Sequence, residues 1–550
     1  MKILILGGYG VFGGRLAHLL ADTDLHIIIA GRDLSRARAF CAAWVGTATT
    51  EPVKADRATI AQTLNTHQPD ILIDASGPFQ DYGPNPYTVL QACIDTGTNY
   101  LDFADGATFV NGIQQFDAAA KAAKIFALSG VSSFPVLTAA VLRDMAKTMT
   151  IHQVSGGIAP SPYAGVGRNV MRAVLSYAGS QVPLIRNGQA ATATGIGETL
   201  RYTIAPPGAL PLHNTLFSLV DVPDLRAIPA VLPEIHSLWI GAGPVPEPLH
   251  RLLILLARAR AALRLPSLEP LAPLCHAVLD AAKFGEHRGG MFIEATGTEN
   301  GHPLTRAWHM LAEGDDGPLI PSMACEAIIR QARTGTAPAP GARSGIDALT
   351  LADYEQLFLA RANTTGWRDS PTDPVYRQTL GTAFAALPET LQRLHQPGLQ
   401  SHWSGRASVQ SGTSTLAVLI ARIFGFPKAG TEIPVTVTFR TAPDGVETWT
   451  RNFAGRLMIS TQTAGTARNA HLITERFGPF AFGLALVLQN NRLNIIPRRW
   501  TLFGLPLPKS LMPHGDSYET ERDGKFRFHV EIALPLIGPV VTYDGWLAQS

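Results

Sequence analysis

The stretch KILILGGYGVFGGRLAHLLA, residues 2–21, limits the fold more than any other. A short apolar run meets glycines, then Leu16, Leu19 and Leu20 fall on one helical face. This predicts strand, tight turn and helix from the N-terminus onward. Gly8, Gly10 and Gly13 satisfy G-x-G-x-x-G in the strand-to-helix context that makes the spacing informative. Gly8 allows the turn, Gly10 lets backbone approach a pyrophosphate, and Gly13 lets helix and strand pack closely. The helix N-terminus adds free N–H donors and partial positive charge. Gly8, Tyr9, Gly10, Val11, Phe12 and Gly13 are therefore the expected phosphate cradle. A glycine-rich turn without a ligand is the plainer alternative.

The next strand, HIIIAG, runs into Arg32 and Asp33. Arg32 follows Gly13 by nineteen residues, near the usual ribose-reading position about 20 residues on. An acid there bonds the ribose 2′-hydroxyl and repels a 2′-phosphate; an arginine does the reverse. NADP(H) is thus the expected cofactor, with Arg36 and Arg38 close by on the next helix. In the alternative, Arg32 is a solvated turn residue and Asp33 holds the ribose of NAD(H).

Apolar runs alternate with amphipathic helices over the first ~130 residues, which implies a parallel sheet covered on both faces. Ligands bind outside the carboxyl ends of such strands. Asp56 is expected at the adenine edge, and Ser76, Gly77 and Pro78 on the nicotinamide side. Asp102 and Asp105 follow the fifth strand and read equally as ligand contacts or as caps.

The chain has 550 residues, of which 46% are hydrophobic, so about three domains are expected. The fold class is α/β: a Rossmann doubly wound parallel sheet with an α/β substrate domain, then a C-terminal β-rich (α+β) domain. The expected boundaries are 1–134 for the Rossmann part, 135–350 for the substrate and dimerisation part, 351–385 for a connector and 386–550 for the last domain. MACEAIIRQA is expected as a helix returning to the Rossmann part. PDG, RDG and YDG mark turns between late strands.

A net charge of +2 argues against nucleic acid as a main partner. Cys41, Cys93, Cys275 and Cys325 have neither metal-ligand nor redox spacing. They read as free thiols of a cytoplasmic protein, and no metal is expected. The N-terminus enters a strand without a signal-peptide pattern. The run LHRLLILLARARAALRL, residues 249–265, is broken by four arginines and reads as an amphipathic helix, not an integral span. A small-molecule substrate is expected; peripheral membrane contact and a homodimer stay open.

ILGGYGVFGGRLA, IIIAGRD, DASGPFQDYGPNPYTVLQACIDTGTNYLDFADG and SGVSSFPVLTAAVL together resemble the saccharopine dehydrogenase-like oxidoreductases over about residues 1–140, more weakly to 345. That resemblance implies a Rossmann domain with an inserted α/β substrate domain. Residues 386–550 resemble an uncharacterised module found behind such domains. Where a saccharopine-forming reductase carries polar groups after its sixth strand, this sequence has Ser132, Phe134, Val136 and Leu137. A less polar substrate is expected. Tyr82, Asp105 and His287 are the candidate proton donors. In the last domain an apolar cavity for a lipid-like ligand stands against a plain packed core. The competing function is a non-catalytic NADP(H) sensor or lipid-like ligand-binding protein.

Overall fold

The computed structural model describes the chain except residues 81, 166, 245, 282–284, 315, 370–373, 397–399, 442–445 and 550. The expected PDG turn and part of the expected connector lie outside the described residues. Two compact units emerge, Met1–Arg201 with Leu216–Thr364, and Tyr202–Thr215 with Thr365–Ser550.

The first unit opens with the strands β1 (Lys2–Leu6), β2 (His26–Gly31), β3 (Thr49–Lys54), β4 (Ile71–Asp74), β5 (Asn99–Asp102) and β6 (Phe126–Ser129). With a seventh strand, Gly341–Ser344, they form one parallel sheet. Its order is Gly341–Ser344, β6, β5, β4, β1, β2, β3. The chain reverses direction across the sheet between β1 and β4, which opens the ligand crevice of a doubly wound fold at their carboxyl ends. Ile3, Leu4, Ile5, Leu72 and Ile73 are fully buried, as expected for strands covered on both faces. Helices α1 (Val11–Leu19), α2 (Leu34–Ala42), α3 (Ile60–His67) and α4 (Thr88–Thr96) connect them.

A second sheet is built around Thr150–Ala159, which pairs parallel with Ser237–Ala242 and antiparallel with Gly289–Glu299. The latter turns into His302–Ala312 through Asn300 and Gly301, both at positive φ, the geometry that suits strand twist in a two-residue hairpin. Helix Ile320–Arg333 then returns to the first sheet: Arg330 donates to the Leu19 carbonyl at 2.9 Å, and Ser322 to the Phe12 carbonyl at 3.3 Å. The described residues of the span read as a connector are structured. The span carries helix Leu351–Phe358, capped reciprocally by Thr350 and Asp353, and the unit boundary falls inside it.

In the second unit ten described strands close into an up-and-down antiparallel barrel. Its first strand, Gln400–Ser411, pairs with its last, Gly538–Gln549, and no edge remains between them. Helical residues 375–394 contribute Tyr376, Leu391 and Leu394 to the barrel core.

Helix Glu247–Leu263 fills most of the broken apolar run. Its Leu252, Leu255 and Leu263 are exposed, while Arg258 and Arg260 donate to the carbonyls of Gly197 and Ala178. Among the described residues no helix is long and apolar enough to cross a membrane.

Candidate nucleotide site and adjoining pocket

The glycine loop is shaped by close backbone approach. A Cβ on Gly13 would lie 2.5 Å from the Gly7 carbonyl oxygen, and one on Gly8 would lie 2.9 Å from that of Ile5. Gly10 precedes α1 in extended conformation and donates to the Gly7 carbonyl at 2.8 Å. The first amides of α1 have no intrahelical acceptor, so they face the crevice as anion donors. A cradle that admits no side chain fits a dinucleotide pyrophosphate.

Tyr9 covers the end of β2. A Cβ on Gly31 would meet its ring at 2.5 Å, and its hydroxyl accepts from the Asp33 N–H at 3.0 Å. Arg36 lies over the same ring at 4.8 Å. Asp33 caps α2: one carboxylate oxygen accepts from the Ser35 N–H at 2.9 Å, the Ser35 hydroxyl at 2.6 Å and the Arg36 N–H at 3.2 Å. The Ser35 hydroxyl bond, foremost, holds that carboxyl below its ordinary range. Arg32, one position earlier, is exposed at the strand end.

Asp56 also turns inward to its own loop, accepting from the amides of Ala58 and Thr59 at 2.9 and 3.0 Å. The Ser76–Gly77–Pro78 loop is held by Asp74, the last residue of β4. Asp74 accepts from the Ser76 hydroxyl at 2.7 Å and from the Tyr82 hydroxyl at 2.5 Å. Arg57 lies 3.2 Å above the Tyr82 ring and donates to the Tyr82 carbonyl. Burial, then Asp74, hold the Tyr82 hydroxyl far above its ordinary pKa. Asn169, on helix Arg168–Tyr177, donates to the Gly77 carbonyl at 2.6 Å.

Asp102 ends β5 fully buried, accepting from the amides of Ala104 at 2.9 Å and Gly130 at 2.7 Å. It ties the ends of β5 and β6 together, the capping role. Asp105 is half-buried, and burial raises its pKa. It acts with Asp221 on Tyr177, whose hydroxyl burial and both carboxylates hold strongly neutral. His287 is exposed and stacks on Tyr163 at 3.8 Å. Tyr82, Asp105 and His287 thus occupy three different surroundings.

Beside α1 lies a cavity of about 210 Å³. Phe12, Ile158, Met291, Met310 and Ile320 supply apolar walls, with Arg15, Ser133 and Ser161 among its polar groups. Arg15 donates to the Ala164 carbonyl at 2.6 Å. Of the segment after β6, Ser133 reaches this cavity, while Val136 and Leu137 are fully buried in the core. The apolar lining therefore comes mainly from residues that the sequence did not single out. Asp74 and Asp102 had a signal: each is an acid closing an apolar strand, ILID and NYLD.

Asp224 begins helix Asp224–Val231 and is fully buried, with the Thr138 hydroxyl as its side-chain polar neighbour. Burial pushes its pKa up to about 7. A raised folded-state pKa means the folded chain binds more protons than the unfolded one between about pH 4 and 7, so stability falls as pH rises through that window. Asp224→Asn removes this penalty. It should raise Tm relative to wild type more at pH 8 than at pH 5, a difference of roughly 2 kcal/mol. Equal shifts in thermal melts at the two pH values would show that the carboxyl is not held neutral.

Residues 3–128 match the family described as the saccharopine dehydrogenase NADP binding domain, and residues 387–547 match a domain of unknown function, DUF4166. Among solved structures the chain is similar to saccharopine dehydrogenase (L-Glu forming) from Saccharomyces cerevisiae. That likeness has 13% identity and a TM-score of 0.48 over 67% of this chain and 100% of that one. Amine dehydrogenase from Mycobacterium smegmatis is similar at 13% identity and a TM-score of 0.33, over 64% and 95% of the two chains. No curated protein matches. The glycine cradle and the first match agree: residues 3–128 form an NADP-binding domain of the saccharopine dehydrogenase type, and residues 387–547 a DUF4166 domain.

Proposed function

We propose that the chain uses NADP(H) in preference to NAD(H) to reduce or oxidise a small-to-medium, apolar substrate. The observation that carries the cofactor choice is the cap at the end of β2. Asp33 uses its carboxylate on Ser35 and Arg36, so Asp33 serves the turn and Arg32 meets the 2′-phosphate. Arg36, above Tyr9, adds a second cation on that side. Bound nicotinamide supplies the hydride chemistry. Ser76, Gly77 and Pro78 border its side of the crevice, kept in place by Asp74 and Asn169. The cavity beside α1 suits the apolar substrate, because its walls reward burial of carbon and offer few polar partners.

Of the three proton-donor candidates, Asp105 is favoured because it follows β5 at the carboxyl ends of the strands and burial raises its pKa. Tyr82 donates its hydroxyl hydrogen bond to Asp74 and acts as a positioning residue for the loop. Asp105→Asn is expected to lower kcat by about a hundredfold or more with NADPH affinity unchanged. Tyr82→Phe is expected to cost roughly 1–3 kcal/mol of stability while keeping the turnover of the folded enzyme. A kcat lost in Tyr82→Phe and kept in Asp105→Asn would exchange the two roles.

The reading as a whole is tested by substrate-dependent oxidation of NADPH with a panel of apolar and amino-acid-like carbonyls and imines. Turnover of apolar members is expected. Tight NADPH binding with no turnover on any member would make the chain a nucleotide sensor instead.

A further inference from the structure

We propose that the C-terminal barrel is a binding site for a long apolar molecule with a small, uncharged, hydrogen-bond-donating head, such as a long-chain alcohol. Eight strands leave an interior that side chains just fill or that holds one small ligand, and diameter grows with strand number. Ten strands close this barrel, and its interior keeps a cavity of about 500 Å³. That volume falls within the roughly 300–1,000 Å³ of small-molecule sites.

The strand period sets the character of the wall. Val435, Val437 and Phe439 alternate along one strand and are all buried, as inward positions of a barrel must be. The polar groups inside are largely paired with one another. Arg451 lies 3.2 Å from Glu475, which also accepts from Ser460 at 2.7 Å and Gln462 at 3.1 Å. Glu519 sits 2.6 Å from His395. With Arg451 neutralised by Glu475, the lining offers an anionic head no unpaired arginine or lysine among the described residues, and Glu531 adds negative charge to the wall. Among the described lining residues, one fully buried side-chain polar atom is without a partner. Gln462 lines the cavity at 2% exposure, and its side-chain carbonyl has no hydrogen-bond partner. An unpaired buried acceptor is costly, and a hydroxyl on the ligand satisfies it.

The test uses the full chain and the neutral fluorophore N-phenyl-1-naphthylamine, with displacement by 1-hexadecanol and by hexadecanoate. The fluorophore should bind saturably, one per chain, and raise the melting temperature. 1-Hexadecanol should displace it at least about tenfold more effectively than hexadecanoate. Met458 lines the cavity, whereas its neighbour Leu457 is exposed on the outside. Met458→Trp should abolish fluorophore binding and Leu457→Trp should leave it unchanged. Gln462→Leu should weaken 1-hexadecanol about fivefold or more and spare the fluorophore. Absence of saturable binding to the wild-type chain would overturn the site, whatever the stability of the variants. Equal or better displacement by hexadecanoate, or an unaltered alcohol affinity in Gln462→Leu, would overturn the assigned head group. None of these readouts involves NADPH, so they stand apart from the proposed oxidoreductase activity.

Discussion

Arg32→Ala is expected to weaken NADPH binding by roughly ten- to a hundredfold while changing NADH affinity less than about threefold. The size follows from one charge-assisted contact to the 2′-phosphate, worth about 1.5–3 kcal/mol. NADH lacks that phosphate and loses nothing specific. The selectivity of the effect rests on Asp33. Because one oxygen of its carboxylate caps α2, the turn fixes the orientation of Asp33, so a gain of NADH affinity is not expected. Nucleotide titrations followed by fluorescence distinguish the outcomes. Equal losses for both nucleotides would assign Arg32 to the turn itself, and a gain for NADH would return Asp33 to the ribose.

Gly13→Ala is expected to abolish measurable NADPH binding and to lower Tm. Its new Cβ would stand 2.5 Å from the Gly7 oxygen and 3.0 Å from Gly8 Cα, both backbone atoms. Gly8 has little room to withdraw, since its own Cβ position is 2.9 Å from the Ile5 oxygen. Relief therefore requires β1 and α1 to part, which opens the cradle. Gly14→Ala is the matched control on the next residue. There the nearest atom is the edge of the Phe40 ring at 3.3 Å, a side chain that can shift. Alanine also favours the helix by up to about 1 kcal/mol over glycine. Gly14→Ala should keep NADPH binding; equal damage from both substitutions would mean that general helix packing, and not the cradle, is what Gly13 protects.

The glycine cradle and the alternation of strands and helices to about residue 130 were legible because both are local. A G-x-G-x-x-G between strand and helix and a period of apolar residues each span a few turns of chain. The hairpin at Asn300 and Gly301 is local too, since its strands flank it directly. Side-chain roles were less legible. Asp33 and Arg32 are visible as neighbours, yet which one faces the crevice depends on whether Ser35 and Arg36 present their N–H groups to the acid. Tyr82 reads as a candidate proton donor just after the nicotinamide-side loop. In the fold it is buried, and the acid that accepts its hydrogen bond, Asp74, stands at the end of another element.

By itself, then, the sequence determined the nucleotide domain, the position of the phosphate loop, and a boundary before a β-rich module. Tertiary structure decided what long-range contact decides. Gly341–Ser344 joins β6 as a seventh strand across more than 200 residues of chain. The barrel closes only because its first and last strands meet. An alternating apolar strand is the same string of residues whether the sheet stays open, packs solid or closes around a cavity. Strand number and closure choose among these, and both are properties of the assembled sheet.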